Sequence, residues 1–190
     1  YGGNLRRAIQ QKNLGLGIIE DWNHPANPDK LVTWIESHDT YANQGESAKM
    51  THFQLRAGWA IITARQYGTP LFFSRPQGPE ATQFPGVSQI GDKGNDEFMH
   101  PEVVAVNKFR DAMIGEGEKF SNGTTRQTLI IERGNKGVVI VNLKDGTEQI
   151  KHKVGLADGE YIDHANGIKF KVQDGILTGK IKASKIAVIY

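Results

Sequence analysis

Hydrophobic and polar positions along the chain follow two rhythms that change over near Gly115. In the first, apolar residues recur at helical spacing and alternate with short continuous runs. Asn4 is placed to cap a short helix with Leu5, Ala8 and Ile9 on one face. Leu31-Val32-Thr33-Trp34-Ile35 is a run of the kind expected of a strand buried on both faces. Thr51-His52-Phe53-Gln54 has the form of a capping box and opens a helix that sets Leu55, Trp59 and Ile62 on one face, with Gly58 and Ile61 beside them. Pro70-Leu71-Phe72-Phe73 is a second buried-strand candidate. Pro101 stands at a first helical position, ahead of Val103, Val106, Phe109 and Met113 on the core side. This order contains a βαβ unit, which implies parallel strands.

The second rhythm is short apolar runs broken by glycine turns. Thr128–Ile131, Val138–Val141, Tyr161-Ile162, Ile168–Val172, Ile176–Thr178 and Ile186–Tyr190 are the runs. Asn135 to Gly137, Asp145-Gly146, Asp158-Gly159, Asn166-Gly167 and Asp174-Gly175 are the turns. This pattern predicts an antiparallel β-sandwich of Greek-key type. The lysines at 169, 171, 180, 182 and 185 fit its solvated face. The fold class is thus α/β followed by all-β, with a first part over 1–114 and a second over 115–190. All seven prolines precede Gly115, as do all three tryptophans.

The first part is incomplete by this reading. A parallel sheet needs cover on both faces and neighbours at its edges, and two strands with three helices cannot provide them. A closed eight-stranded α/β barrel takes about 250 residues, against 190 in the whole chain. The expectation is that other polypeptide, either a missing N-terminal segment or a second copy, completes the sheet.

Composition excludes several classes. The chain has 38% hydrophobic and 23% charged residues, which places it among globular proteins rather than disordered tails. No run approaches the ~18 apolar residues of a membrane-spanning helix. Twenty-three basic against 21 acidic residues give a net charge of +2, too balanced to suggest nucleic acid or a membrane surface as partner. Without cysteine there is no disulfide, thiolate metal site or thiol nucleophile. The first residues carry no initiator Met and no signal-peptide core, so a longer natural product is expected.

The chemistry concentrates where Leu31–Ile35 runs into Glu36-Ser37-His38-Asp39. In parallel α/β sheets, ligand-handling groups collect at the carboxyl ends of strands. Two acids, a hydroxyl and an imidazole crowded there cost desolvation unless something uses them. The bland alternative is a hydrogen-bonded cluster that opens the next loop.

The stretch TWIESHDTYAN, with TPLFFSRP and QIGDKG after it, resembles the α-amylase family of retaining glycoside hydrolases, in the form found in secreted members from bacilli and lactobacilli. The likeness extends over nearly the whole chain. It implies that the first part is the end of a (β/α)8 TIM barrel, strands seven and eight with their helices, and that the second is the terminal β-domain. The broader family has Asn where Ser37 stands. By resemblance Asp39 is the third catalytic carboxylate, which stabilises the oxocarbenium-like transition state. His38 would bind the same sugar and Asn43 the next one. Arg75 would either line the cleft or pair with a carboxylate. The nucleophile and proton donor, about 5–5.5 Å apart in a retaining enzyme, are expected upstream of Tyr1, and Glu36 is not taken as their substitute. The implied activity is endo-hydrolysis of α-1,4 bonds in starch or maltooligosaccharide, with this chain inactive alone. No cofactor is expected within the chain, while calcium is expected for the longer enzyme. An extracellular location follows from the resemblance only.

Other features carry less. Asp92 to Glu97 crowds acids in a loop without a full calcium-loop pattern. Asn122-Gly123-Thr124 reads as a turn before a glycosylation sequon, and Trp22 is the one candidate sugar platform, Trp34 and Trp59 suiting a core. The competing reading is a non-catalytic carbohydrate-binding or interaction remnant. A separate small enzyme using an Asp39–His38 dyad lacks a nucleophile motif such as Gly-x-Ser-x-Gly.

Overall fold

A computed structural model describes residues 1–77 and 91–190. Helix α1 (Gly2–Gln10) and the short α2 (Leu16–Glu20) lead into strand β1 (Val32–Trp34). Helix α3 (His52–Ala64), strand β2 (Thr69–Leu71) and helix α4 (Pro101–Ala112) follow. β1 and β2 pair in parallel, Thr33 opposite Pro70, across the α3 connection. The βαβ unit expected from the sequence is therefore present. Thr51 and Gln54 close the capping box at the start of α3, with both reciprocal bonds formed. At α1 the cap differs from expectation. Helix already begins at Gly2, and Asn4 lies inside it with its side-chain oxygen accepting from Arg7.

The two-stranded sheet is buried on one face only. Thr33 points to the interior, where Ile35 packs so close to α3 that a Cβ on Gly58 would come within 2.7 Å of it. On the other face Val32 is 49%, Trp34 43% and Leu71 55% exposed. This corrects both the two-face burial expected of the strand and the core position expected of Trp34, because no further strand covers that side among the described residues.

The rest of the chain forms two four-stranded antiparallel sheets. The first has the order β10-β5-β4-β3, where β3 is Glu118–Asn122, β4 Thr128–Arg133, β5 Gly137–Asn142 and β10 Lys185–Ile189. The second has the order β6-β9-β8-β7, with β6 Glu148–Lys153, β7 Gly159–Ile162, β8 Lys169–Gln173 and β9 Ile176–Ile181. β6 lies beside β9 while β7, β8 and β9 meander, which is a Greek-key path. Asp174 and Gly175, both at positive φ, form the two-residue β8–β9 turn.

The sheets share a core of Ile130, Val138, Ile140, Phe170, Leu177 and Ile189, among others. The opposite face of the first sheet, with Leu129, Ile131, Val139 and Val188, packs into the same cluster as Ile9 of α1, Ile61 of α3 and Phe109 of α4. β4 and β5 are consequently buried at every position although they belong to an antiparallel sheet. β8 alternates buried and exposed, with Lys169 and Lys171 outward as expected.

Candidate active site

β1 ends at Trp34, and the chain turns over 36–47 before reaching α3. Glu36 is buried and Ser37 begins a locally closed turn. The Ser37 amide donates to Thr40 Oγ1 at 2.9 Å, and the Thr40 amide donates to Ser37 Oγ at 3.3 Å. Asp39–Asn43 then forms one π-helical turn, closed by a bond from the Gln44 amide to the Asp39 carbonyl at 2.8 Å. The serine that departs from the usual Asn thus serves as the reciprocal cap of this turn. Ser47 returns, donating its amide to the Thr40 carbonyl at 3.0 Å and its hydroxyl to Thr40 Oγ1 at 3.2 Å.

This arrangement leaves Asp39 and His38 facing outward at the carboxyl end of β1. Their side chains are 50% and 74% exposed. Among the described residues, Asp39 Oδ1 accepts from Asn43 Nδ2 at 2.6 Å and lies 3.5 Å from His38 Nε2. Asp39, His38 and Asn43 are therefore brought together, and no lysine or arginine of the described residues neutralises the carboxylate.

Arg75 sits elsewhere. It is buried, and its Nε and Nη2 hold both oxygens of Glu36 at 2.8 to 3.2 Å. Nη2 also donates to the Ser47 carbonyl at 2.8 Å, and the Tyr41 ring lies 4.9 Å from the guanidinium carbon. Of the two positions open to it from the sequence, Arg75 occupies the carboxylate pair. Arg75 is buried, and Glu36 takes the fork of its guanidinium.

Arg6 was not legible in the sequence as part of this region. Its Nη1 donates to the Ile35 carbonyl at 3.1 Å and its Nη2 pairs with Glu46. A groove of about 410 Å3 runs beside β1, lined by Tyr1, Gly2, Trp34, Thr40 and Gln44 among others. Trp22 borders it, but one ring face carries the Arg65 guanidinium at 3.6 Å from the centroid and Tyr1 lies against the ring at 5.0 Å. Trp22 is thus a cation–π partner rather than an open platform.

Among the described residues no group of three or more acidic or histidine side chains converges as a metal cage. In the 92–97 loop, Lys93 occupies the Asp96 carboxylate at 2.8 Å. Asn122 and Thr124 are also engaged, the first with the Leu14 carbonyl at 2.9 Å and the second with Glu148 at 2.9 Å. Gln89 and Ile90 of the QIGDKG segment lie outside the described residues.

The fold is similar to that of solved α-amylase structures. α-Amylase I from Eisenia fetida superposes with a TM-score of 0.79 at 19% identity, covering 100% of this chain and 47% of that one. An Anoxybacillus α-amylase superposes at 0.54 and 15% identity, covering 85% of this chain and 38% of its own. Among curated proteins, the α-amylase of Butyrivibrio fibrisolvens is 39% identical over 207 aligned residues, covering the whole of this chain and 21% of its own length. That of Clostridium acetobutylicum is 36% identical, again over the whole of this chain and 23% of its own length. No protein-family model matches the chain. The chain is similar to α-amylases from end to end, and it spans about a fifth of the length of these two relatives.

Proposed function

We propose that this chain is the closing portion of an α-amylase: the seventh and eighth strands of a (β/α)8 barrel, residues 1–114, followed by a terminal β-sandwich, residues 115–190. The whole enzyme would cleave internal α-1,4 bonds of starch or maltooligosaccharide with retention. The nucleophile and the proton donor would come from preceding barrel strands. Secretion, and calcium held by residues outside this chain, belong to the same proposal.

The observation that carries it is Asp39. A carboxylate without a lysine or arginine partner among the described residues stands half exposed at the carboxyl end of a parallel strand, beside an open apolar sheet face. In a completed barrel that face is interior and the strand end is the catalytic rim. There Asp39 would hold the hydroxyls of the sugar being cleaved. As positive charge grows on the anomeric centre, its pull strengthens more than in the ground state, which is what lowers a barrier. His38 would donate to the same sugar, and Asn43 would orient Asp39 through its 2.6 Å bond while it reaches the neighbouring sugar.

Two assays on soluble starch test the reading. The 190-residue chain alone is expected to give no turnover. Joined behind the preceding barrel segment of the Butyrivibrio relative, it is expected to hydrolyse starch, and Asp39→Asn in that hybrid to lower kcat by about 100-fold or more. Normal turnover by the chain alone, or an unaffected Asp39→Asn hybrid, refutes the assignment.

A further inference from the structure

We infer that Arg6 and Arg75 are positioning residues for Asp39, acting as a paired clamp on the turn that presents it. This rests on the role proposed above for that carboxylate. The turn 36–47 leaves β1 and comes back, so it has two stems. Each guanidinium touches both. From α1, Arg6 bonds the Ile35 carbonyl on the outgoing stem at 3.1 Å and Glu46 on the returning one. From the segment after β2, Arg75 bonds Glu36 on the outgoing stem at 2.8 to 3.2 Å and the Ser47 carbonyl on the returning one at 2.8 Å.

Arginine is suited to this work. Its rigid fork bonds two acceptors in fixed directions, whereas a lysine ammonium acts as a point charge on a flexible stem. The Arg75–Glu36 pair is buried and adds little net stability compared with apolar packing, and the Arg6–Glu46 pair, whose carboxylate is half exposed, adds little as well. What these two pairs supply is a fixed distance between the stems. Asp39 lies between them on a turn whose inner bonds, Ser37 with Thr40 and Thr40 with Ser47, all pass through residues next to the clamps. A carboxylate that must meet one carbon of a sugar loses effect with displacements of about 1 Å. The clamps come from α1 and from the segment after β2, so they also tie the turn to both.

The test uses the 190-residue chain carrying Arg75→Lys, Arg6→Lys or Glu36→Gln. Amide hydrogen exchange at Tyr41, Gln44 and Ser47 is expected to rise at least 10-fold, with β4 and β5 amides unchanged. The Asn43 side-chain amide resonance, bonded to Asp39 in the parent, is expected to move toward its free position. Rescue by lysine, or exchange that rises uniformly through the chain, overturns the clamp, since a charge-only or general stabilising role predicts those results. If Arg75→Lys does not fold, Arg6→Lys and Glu36→Gln decide on the same readouts. In the starch-hydrolysing hybrid, Arg75→Lys is expected to lower kcat at least 10-fold with KM within 2-fold. An unchanged kcat beside an inactive Asp39→Asn overturns positioning and spares the proposed function. An Asp39→Asn hybrid of full activity removes the proposed function and, with it, this inference, whatever the exchange data show.

Discussion

Glu102, at the second position of α4, accepts a hydrogen bond from the Ile186 amide of β10 at 3.0 Å. The same carboxylate takes Arg56 Nε at 2.9 Å and the Asn166 side chain at 3.3 Å, and it is almost fully buried. One acid thus joins α3, α4, the β7–β8 turn and the edge strand β10. Glu102→Ala leaves the Ile186 amide without its acceptor and Arg56 Nε without one of its two carboxylates, while Arg56 Nη1 keeps Glu97 at 2.6 Å. The expected loss is about 1–3 kcal/mol, read from urea unfolding monitored by tryptophan fluorescence.

At Gly58, α3 lies against Ile35, the residue that follows β1. A Cβ there would sit 2.7 to 2.9 Å from three carbons of Ile35. Gly58→Ala gains up to about 1 kcal/mol of helix propensity but overpacks the contact at about 1–3 kcal/mol. The variant is expected to have a lower Tm than the parent, and thermal denaturation decides the sign.

Glu148 gives the fold an acid-sensitive bond. Burial pushes its carboxyl up, but hydrogen bonds from Lys144, the Thr124 amide and the Thr124 hydroxyl, with the Lys144 charge, bring it below the ordinary value of 4.5. A carboxyl lowered in the folded state contributes stability that is complete above its unfolded value and lost as pH falls through its folded one. The parent is therefore expected to lose stability as pH falls below the ordinary carboxyl range of about 4.5. Glu148→Gln, less stable at pH 7, is expected to show a flatter decline over that window in Tm measured against pH.

Asp39 separates stability from chemistry. Its side chain is half exposed and bonded only within its own turn among the described residues. Asp39→Asn is expected to leave unfolding free energy within about 0.5 kcal/mol of the parent. A larger loss in denaturant titration would mark Asp39 as a structural residue.

Much of this fold was legible because local rules and packing agree. Thr51 with Gln54, Pro101, and the Asp174-Gly175 turn act within a few residues, and each stands where its chemistry puts it. β3 and β6 were missed. Their sequences, EKFSN and EQIKHK, hold one apolar residue each, and both are sheet-edge strands carried by a partner rather than by their own hydrophobicity. The exposed side of β1 was misjudged because an unbroken apolar run says what a strand could bury, not what stands beside it. At the site, Asp39, His38 and Asn43 are near neighbours in sequence and were visible as a cluster. The partners of Arg75 and Arg6 are 28 to 40 residues away along the chain, and only the folded backbone brings them in.

The central strands β4 and β5 of the sheet β10-β5-β4-β3 have no wet face. Helices lean on one side of that sheet and a second sheet on the other, so it works as a party wall between two rooms. A truncation that kept only the helical room would remove the wall and bare the apolar helix faces that lean on it, and such a fragment should clump rather than stand alone. The terminal β-layer is in this sense masonry for the helical part, and trimming it to make a smaller protein would bring the neighbouring room down too.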